Sequence, residues 1–155
     1  GGSKLREMRE EKVGIVKAVC ISEKKGTQKK NVGKARFIED FGLENDAHAG
    51  NWHRQVSLLS YEVIEQFKAK GAPVEDGAFG ENLIVTGFDF KNYPVGTRFA
   101  CNSVILEMTQ IGKTCHKGCE IQRLMGDCIM PREGVFARVL RAGEISVGDE
   151  MRRIL

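Results

Sequence analysis

The stretch IGKTCHKGCEI, residues 111–121, holds Cys115 and Cys119, His116, and the cations Lys113 and Lys117. Thiols, imidazole and positive charge at this spacing admit three readings: a reactive thiol, a metal clip or an ordinary polar turn. A thiol close to cations and to the start of a helix is favoured as thiolate, because both stabilise negative charge. The thiolate is the form that attacks, carries sulfur or binds a soft metal. Cys115 has this setting, since it follows a strand pattern, precedes a short helical one and has polar, Gly-containing neighbours. Cys119 lies four residues on and can resolve a sulfenic acid or persulfide on Cys115. With His116 and Cys128 the two thiols also form a C-H-x-x-C…C set. As a zinc pattern this is weak, because zinc ribbons show two paired knuckles and here there is one. The order of Cys and His does not match c-type haem attachment, where His follows the second Cys.

A second polar cluster is DAHAGNWHR, residues 46–54, with Asp46, His48, His53 and Arg54. It has no strand or helix period, so it reads as a loop, and irregular loops often line sites. His48 and His53 are five apart and need not share a face; a pair like this is more often hydrogen-bonded structure than ligation. Arg54 offers a planar fork for a phosphate or carboxylate. Cys20 and Cys101 sit in apolar strand patterns and read as structural thiols. The chain has no Walker loop, Rossmann fingerprint or nucleophile-elbow serine.

The elements around these clusters are mainly strands. VGIVKAVCI (13–21) is β-branched and apolar on both faces, which predicts a buried strand. KARFIED predicts a strand returning from the basic loop as a long hairpin. QVSLLS, ENLIVTG, the end of YPVGTRFACN, VILEMTQ and GVFARVL predict further strands, and GEISVGDEM adds a turn, a strand and a Gly-Asp turn. In VILEMTQ, Val104, Leu106 and Met108 face one way while Glu107 and Thr109 face the other. Ser60 as cap, the stripe Val63, Ile64 and Phe67, and Gly71 as stop predict a helix over 61–70. Ile121, Leu124 and Met125 predict a second helix. About seven or eight short strands with two or three short helices and no βαβ rhythm imply a mostly β fold, closed or nearly closed into a barrel. Residues 1–12 read as disordered or tag-derived and 13–155 as one domain.

The chain has 155 residues, 41% hydrophobic and 29% charged, which suits a single core. It has no apolar run approaching the roughly 20 residues of a membrane span, and no signal-peptide pattern at its start. Five cysteines cannot all pair within one chain, which fits a reducing compartment and predicts the cytoplasm. Residues 1–36 hold 11 Lys or Arg against 4 Glu, centred on EKKGTQKKNVGK. Such a run reads as a solvated loop or an anion-attracting patch. No aromatic residues interleave with it, so no nucleic-acid partner is expected.

The blocks NDAHAGNWHRQVSLLS, GAFGENLIVTG, VGTRF…VILEMTQIGKTC and GVFARVL…GEISVGDEM, in this order, resemble the MOSC domain family over about residues 13–152. The family is named for the C-terminal domain of molybdenum-cofactor sulfurase, and the chain resembles its stand-alone bacterial members. The resemblance implies a strand-rich β-barrel and a cysteine after the MTQ-type strand that binds molybdenum cofactor or carries sulfur. That cysteine is Cys115 here, as catalytic thiol and metal ligand, with Cys119 beside it. The acidic-His-Gly loop falls on Asp46, His48 and Gly50, followed by Arg54 and Gln55; the Gly-Glu-Asn block falls on Gly80, Glu81 and Asn82. Many relatives have Gly where this chain has Asn45, a residue that tolerates a left-handed backbone. Candidate donors to the pterin phosphate are Lys34, Arg36, Arg54 and Lys113, while Glu81 and Asn82 hold the site loops or contact the pterin. The implied function is delivery, storage or sulfuration of the cofactor, with cofactor-biosynthesis proteins or molybdoenzymes as partners. Alternatives are a molybdenum-dependent reductase of N-hydroxylated compounds and a zinc-clipped interaction module. Pyridoxal phosphate belongs to a separate domain of the fused eukaryotic enzymes and has no lysine context here.

Overall fold

The computed structural model describes residues 13–24, 28–71, 75–112 and 134–154. In chain order the elements are β1 (Val13–Ile21), β2 (Lys30–Asn31), β3 (Lys34–Ile38), β4 (Gly42–Leu43), β5 (Val56–Ser60) and helix α1 (Tyr61–Ala69). They continue with β6 (Leu83–Val85), a 3-10 turn (Phe90–Asn92), β7 (Arg98–Cys101), β8 (Val104–Ile111), β9 (Val135–Arg141), β10 (Gly143–Ser146) and β11 (Glu150–Ile154).

Seven of these strands close on themselves in the order β1-β6-β5-β9-β8-β7-β11, with β11 returning to β1 through Val13↔Arg152 and Ile15↔Glu150. The predicted barrel is therefore closed. Only β5 and β6 run parallel, joined by the crossover that contains α1; the other neighbours are antiparallel. Closure removes the exposed edges that an open sheet of this size would carry. β2 is an extra strand on the far end of β1, and β10-β3-β4 form a small second sheet. That sheet adds Phe37, Leu43 and Ile145 to the barrel core.

The alternating residues of β8 enter the core as expected: Val104, Leu106 and Met108 are buried, and Ile105, Glu107 and Thr109 are half-buried. β1 behaves differently. Its register against β6 shifts between Val16 and Ala18, a bulge that adds one residue and reverses which face follows. Val16 and Val19 therefore both point into the barrel core, three positions apart. Ala18 and Cys20 turn to the other side, where Ile64 and Phe67 of α1 pack with Leu59, Phe79, Ile84 and Phe136. One strand thus serves the barrel interior and the seat of the helix. Each fully buried Leu, Val or Phe in these clusters stabilises the fold by roughly 1.5–3 kcal/mol before entropy is counted.

Two local expectations change. The strand at Lys34–Ile38 does not return along β1 as a hairpin: β1 takes β2 at Cys20↔Asn31, and β3 pairs with β10 and β4 instead. The two-residue β2 and the left-handed Gly33 (φ +84°) turn the chain out of the barrel wall before β3 begins. Helix α1 starts and stops where predicted, with Gly71 left-handed at φ +96°. Ser60 occupies the cap position, but its hydroxyl reaches the Glu62 carboxylate (3.4 Å) rather than a backbone N–H. The helix expected around Ile121–Met125 lies outside the described residues. Among the described residues no helix is long and apolar enough to cross a membrane.

Candidate functional site

Where β1 ends and β6 begins, four polar side chains are packed out of water: Lys29, Asp46, Glu81 and Asn82. Asp46 is the hub. Its Oδ1 accepts from Lys29 Nζ (2.6 Å) and from the backbone N–H of Ser22 (3.1 Å), and its Oδ2 accepts from Asn82 Nδ2 (3.2 Å). Three donors on one carboxylate meet the desolvation cost that a buried charge would otherwise impose. Lys29 Nζ also lies within hydrogen-bond distance of His48 Nδ1 (3.0 Å). Asn82 ties the strands together, because Nδ2 also donates to the Cys20 carbonyl (3.0 Å) while Oδ1 accepts from the Ser57 N–H (2.9 Å) and hydroxyl (3.1 Å).

Glu81 holds the neighbouring turn. Its two oxygens accept from the backbone N–H groups of Gly77 (3.1 Å) and Phe79 (3.0 Å). Burial pushes this carboxyl up to about 7, and the backbone hydrogen bonds offset only part of that shift. Gly77 is left-handed (φ +85°), and a Cβ there would stand 2.1 Å from the Lys29 carbonyl oxygen. The glycine is what lets the 77–81 turn close over Lys29.

The loop after β4 carries the predicted polar cluster and is anchored at both ends. Asn45 takes the left-handed conformation at φ +67°, the one Asn tolerates best among residues with a side chain. Gln55, fully buried, donates from Nε2 to Asp40 Oδ1 (2.9 Å) and accepts from the Val139 N–H (2.9 Å). Trp52 Nε1 donates to the His48 carbonyl (2.8 Å). The Arg54 guanidinium stacks on Trp52 (4.8 Å from its ring centre) and near Phe136 (5.6 Å). Arg54 Nε is buried without a hydrogen-bond partner among the described residues. A planar cation lying over aromatic rings, with a donor left unmatched among the described residues, is a fitting place for an anionic oxygen.

The two histidines of this loop take separate partners. His48 meets Lys29, whereas His53 is exposed and pairs through Nε2 with Gln110 Oε1 (2.9 Å). Gln110 in turn donates from Nε2 to the Gly112 carbonyl (2.7 Å), and the Gly112 N–H donates to the Gly134 carbonyl (2.6 Å). Gly112 and Gly134 are therefore side by side, close to the Gln110 that meets His53. Lys113, Cys115 and Cys119, with the rest of the proposed zinc set, lie between the two in sequence and outside the described residues. Among the described residues no three His, Cys, Asp or Glu side chains group as a metal site.

The structure brings Asp46, His48 and Asn82 into one network and places Glu81 and Arg54 next to it in sequence but with partners of their own. Lys34 and Arg36 project from exposed positions on β3, and no hydrogen bond among the described residues joins their side chains to the network. Cys20 and Cys101 are buried thiols, with burial pushing Cys101 up to about 12 and Cys20 higher still; both stay protonated and inert. Sequence reasoning missed Lys29, Ser57 and Gln110. Lys29 stands in a run of lysines and glutamine whose composition says solvent; only its fit under Gly77 and against Asp46 distinguishes it from Lys30.

The described residues form a closed seven-stranded barrel with a polar loop cluster beside the end of β8. The MOSC domain profile matches residues 45–152, and the chain belongs to that family, which is associated with molybdenum cofactor. No curated protein matches the chain at a significant level. Among solved structures, the YUAD protein of Bacillus subtilis is similar at 21% identity and a TM-score of 0.78, covering 93% of this chain and 97% of that one. YiiM of Geobacillus stearothermophilus is similar at 16% identity and a TM-score of 0.68, covering 92% of this chain and 75% of that one. YiiM of Escherichia coli is similar at 16% identity and a TM-score of 0.61, with 94% and 70% covered.

Proposed function

We propose that this protein binds molybdenum cofactor, or a sulfur species derived from it, for delivery, storage or sulfuration, with Cys115 as the thiolate ligand or sulfur carrier. The observation that supports the reading best is Arg54, whose buried Nε lacks an acceptor among the described residues while its guanidinium lies over Trp52. An anionic phosphate or oxo group is the natural acceptor for such a donor. Lys113 would add a second cation, and Lys34 and Arg36 would draw the anion in from the surface. Glu81 and Asn82 are buried and fully engaged with backbone and neighbours, so their role is to hold the loops rather than to touch the pterin. When bound, the cofactor would supply molybdenum and its redox chemistry. The chain's part is to bind it, orient it and present a soft sulfur ligand.

Metal and pterin analysis of protein purified from a host that makes molybdenum cofactor tests this. Molybdenum and pterin in equal amounts, lost together in Cys115→Ser, are expected. Unchanged retention in Cys115→Ser would remove the cysteine from the site. Stoichiometric zinc with no molybdenum would replace this reading with the zinc clip.

A further inference from the structure

We infer that Lys29 is a positioning residue that fixes the tautomer of His48, leaving the ring proton on Nε2, so that His48 meets the ligand as a hydrogen-bond donor and not as a metal ligand. The ligand half of this statement rests on the function proposed above; the tautomer half does not.

The chemistry is one of counting protons. A lysine ammonium has three N–H donors and no acceptor. Lys29 forms an ion pair with Asp46, whose carboxylate lies 2.6 Å away, with both side chains almost wholly out of solvent. Nζ also stands 3.0 Å from His48 Nδ1. A contact between an ammonium and a ring nitrogen is a hydrogen bond only if the nitrogen offers its lone pair. Nδ1 is therefore the bare nitrogen, and in the neutral imidazole the proton sits on Nε2. A proton added at Nδ1 would point at a positive charge.

The surroundings leave Lys29 little freedom to do otherwise. The Ser22 N–H and Asn82 Nδ2 fix the Asp46 carboxylate from the other sides. The Gly77 turn presses on the Lys29 backbone and Cβ. The His48 backbone is fixed too, since its carbonyl accepts from Trp52 Nε1. Ring and donor are thus both set by neighbours, as a preorganised recognition group requires.

Two consequences follow for the ligand. Metal binding through Nε2 would need the proton moved to Nδ1, against the ammonium, so His48 is a poor first-row metal ligand in this setting. An Nε2–H donor suits an electron-rich acceptor, such as an oxo or phosphate oxygen, or a thiolate or persulfide sulfur. Lys29 and Arg54 then act on the same anion by different routes, one through His48 and the other by its own fork.

Long-range 15N–1H correlation spectra of the labelled wild-type protein near neutral pH read the tautomer directly, with the His48 signals assigned by their loss in His48→Gln. The expected pattern is a bare Nδ1 and a protonated Nε2. A protonated Nδ1, or a doubly protonated ring, would overturn the inference whether or not any cofactor binds. Lys29→Met tests the cause, because loss of the donor should let the Nδ1–H form appear. If that variant does not fold, Lys29→Met/Asp46→Asn, which removes both charges together, gives the same reading; a His48 ring unchanged in the folded variant would sink the role of Lys29. For the ligand half, cofactor retained on purification is compared across variants. His48→Gln keeps an N–H donor near the Nε2 position and should hold the cofactor within about threefold of wild type, while His48→Ala should lose about tenfold or more, one good hydrogen bond to a charged acceptor. Equal loss in both would show that a donor is not what His48 supplies. If the tautomer is as stated and neither wild type nor Cys115→Ser holds any cofactor, the fault lies with the proposed function, and Lys29 still sets the ring.

Discussion

The two ends of β1 are closed by opposite chemistry. At the Val13 end, Phe88, Phe90, Tyr93 and Phe99 pack edge to face, with Phe99 5.1 Å from Phe88, 5.3 Å from Phe90 and 5.8 Å from Tyr93. They press on β1 so closely that a Cβ at Gly14 would lie 2.7 Å from the Phe88 ring. At the Ile21 end, the closure is Lys29, Asp46, Asn82 and Glu81, equally buried and each held by named donors and acceptors. Aromatic closure stabilises by area and tolerates small shifts, because dispersion and edge-to-face contacts are weakly directional. Polar closure contributes less net stability, since desolvation offsets most of its attraction, but it accepts only one geometry. The end that carries the polar loop 46–54 is built from the directional kind.

The comparison can be broken by removing one member from each end. Phe99→Ala and Lys29→Met should each cost about 3–5 kcal/mol, the first by opening a cavity and the second by stranding the Asp46 charge. The difference lies in repair. Adding Asp46→Asn to Lys29→Met should recover part of the loss, because no unpaired charge remains, whereas combining Lys29→Met with Phe99→Ala should be additive within about 0.5 kcal/mol. Urea unfolding of the six proteins, wild type and the single variant Asp46→Asn included, checks both statements. A double variant at the polar end no better than the sum of its parts would mean that the charges are not coupled.

A smaller effect is expected from Glu81. Its carboxyl is raised from the usual 4.5 to about 7 by burial, so the folded state holds a proton that the unfolded chain releases. The stabilisation from this group is fully present below about pH 4.5 and is lost as pH rises to about 7, on the order of 3 kcal/mol across that window. Glu81→Gln, which mimics the protonated form, should flatten this slope in urea midpoints measured from pH 4.5 to 7.5. A slope unchanged in the variant would assign the pH dependence to another group. The smallest effect belongs to the exposed ion pair Arg98–Glu107 (3.0 Å): Arg98→Ala should change stability by less than about 1 kcal/mol, because solvent screens the pair and Arg98 is more than half exposed. A loss as large as that of Lys29→Met would show that burial is not what separates the two pairs.

The barrel was legible because its strands announce themselves locally. The alternation of VILEMTQ and the β-branched run of β1 specify pleated, buried chain wherever they pair. Which strands pair was less legible: β1 and β3 follow one another in sequence, but Gly33 and the two-residue β2 send them to different sheets. The bulge at Val16–Ala18 was hidden for a similar reason, since a strand apolar on both faces carries no parity to break. At the site, Asp46, His48 and Arg54 stood out as a dense polar cluster in an irregular loop, and Glu81 and Asn82 through the family's motif. Lys29 did not, because a buried lysine looks like any other lysine until the carboxylate that meets it, 17 residues away, is placed.

The extra residue in β1 makes the strand two short ribbons spliced out of phase. Each ribbon answers to its own neighbour: Val16 to the barrel lumen, Cys20 to the underside of the helix. Deleting Lys17 would make the strand one regular ribbon, with Val16 and Val19 two positions apart and both still facing the lumen, and Cys20 still under the helix with its carbonyl on Asn82. The polar hinge beyond Cys20 would keep its grip, so the surplus residue serves the bend of the wall and not its pairing.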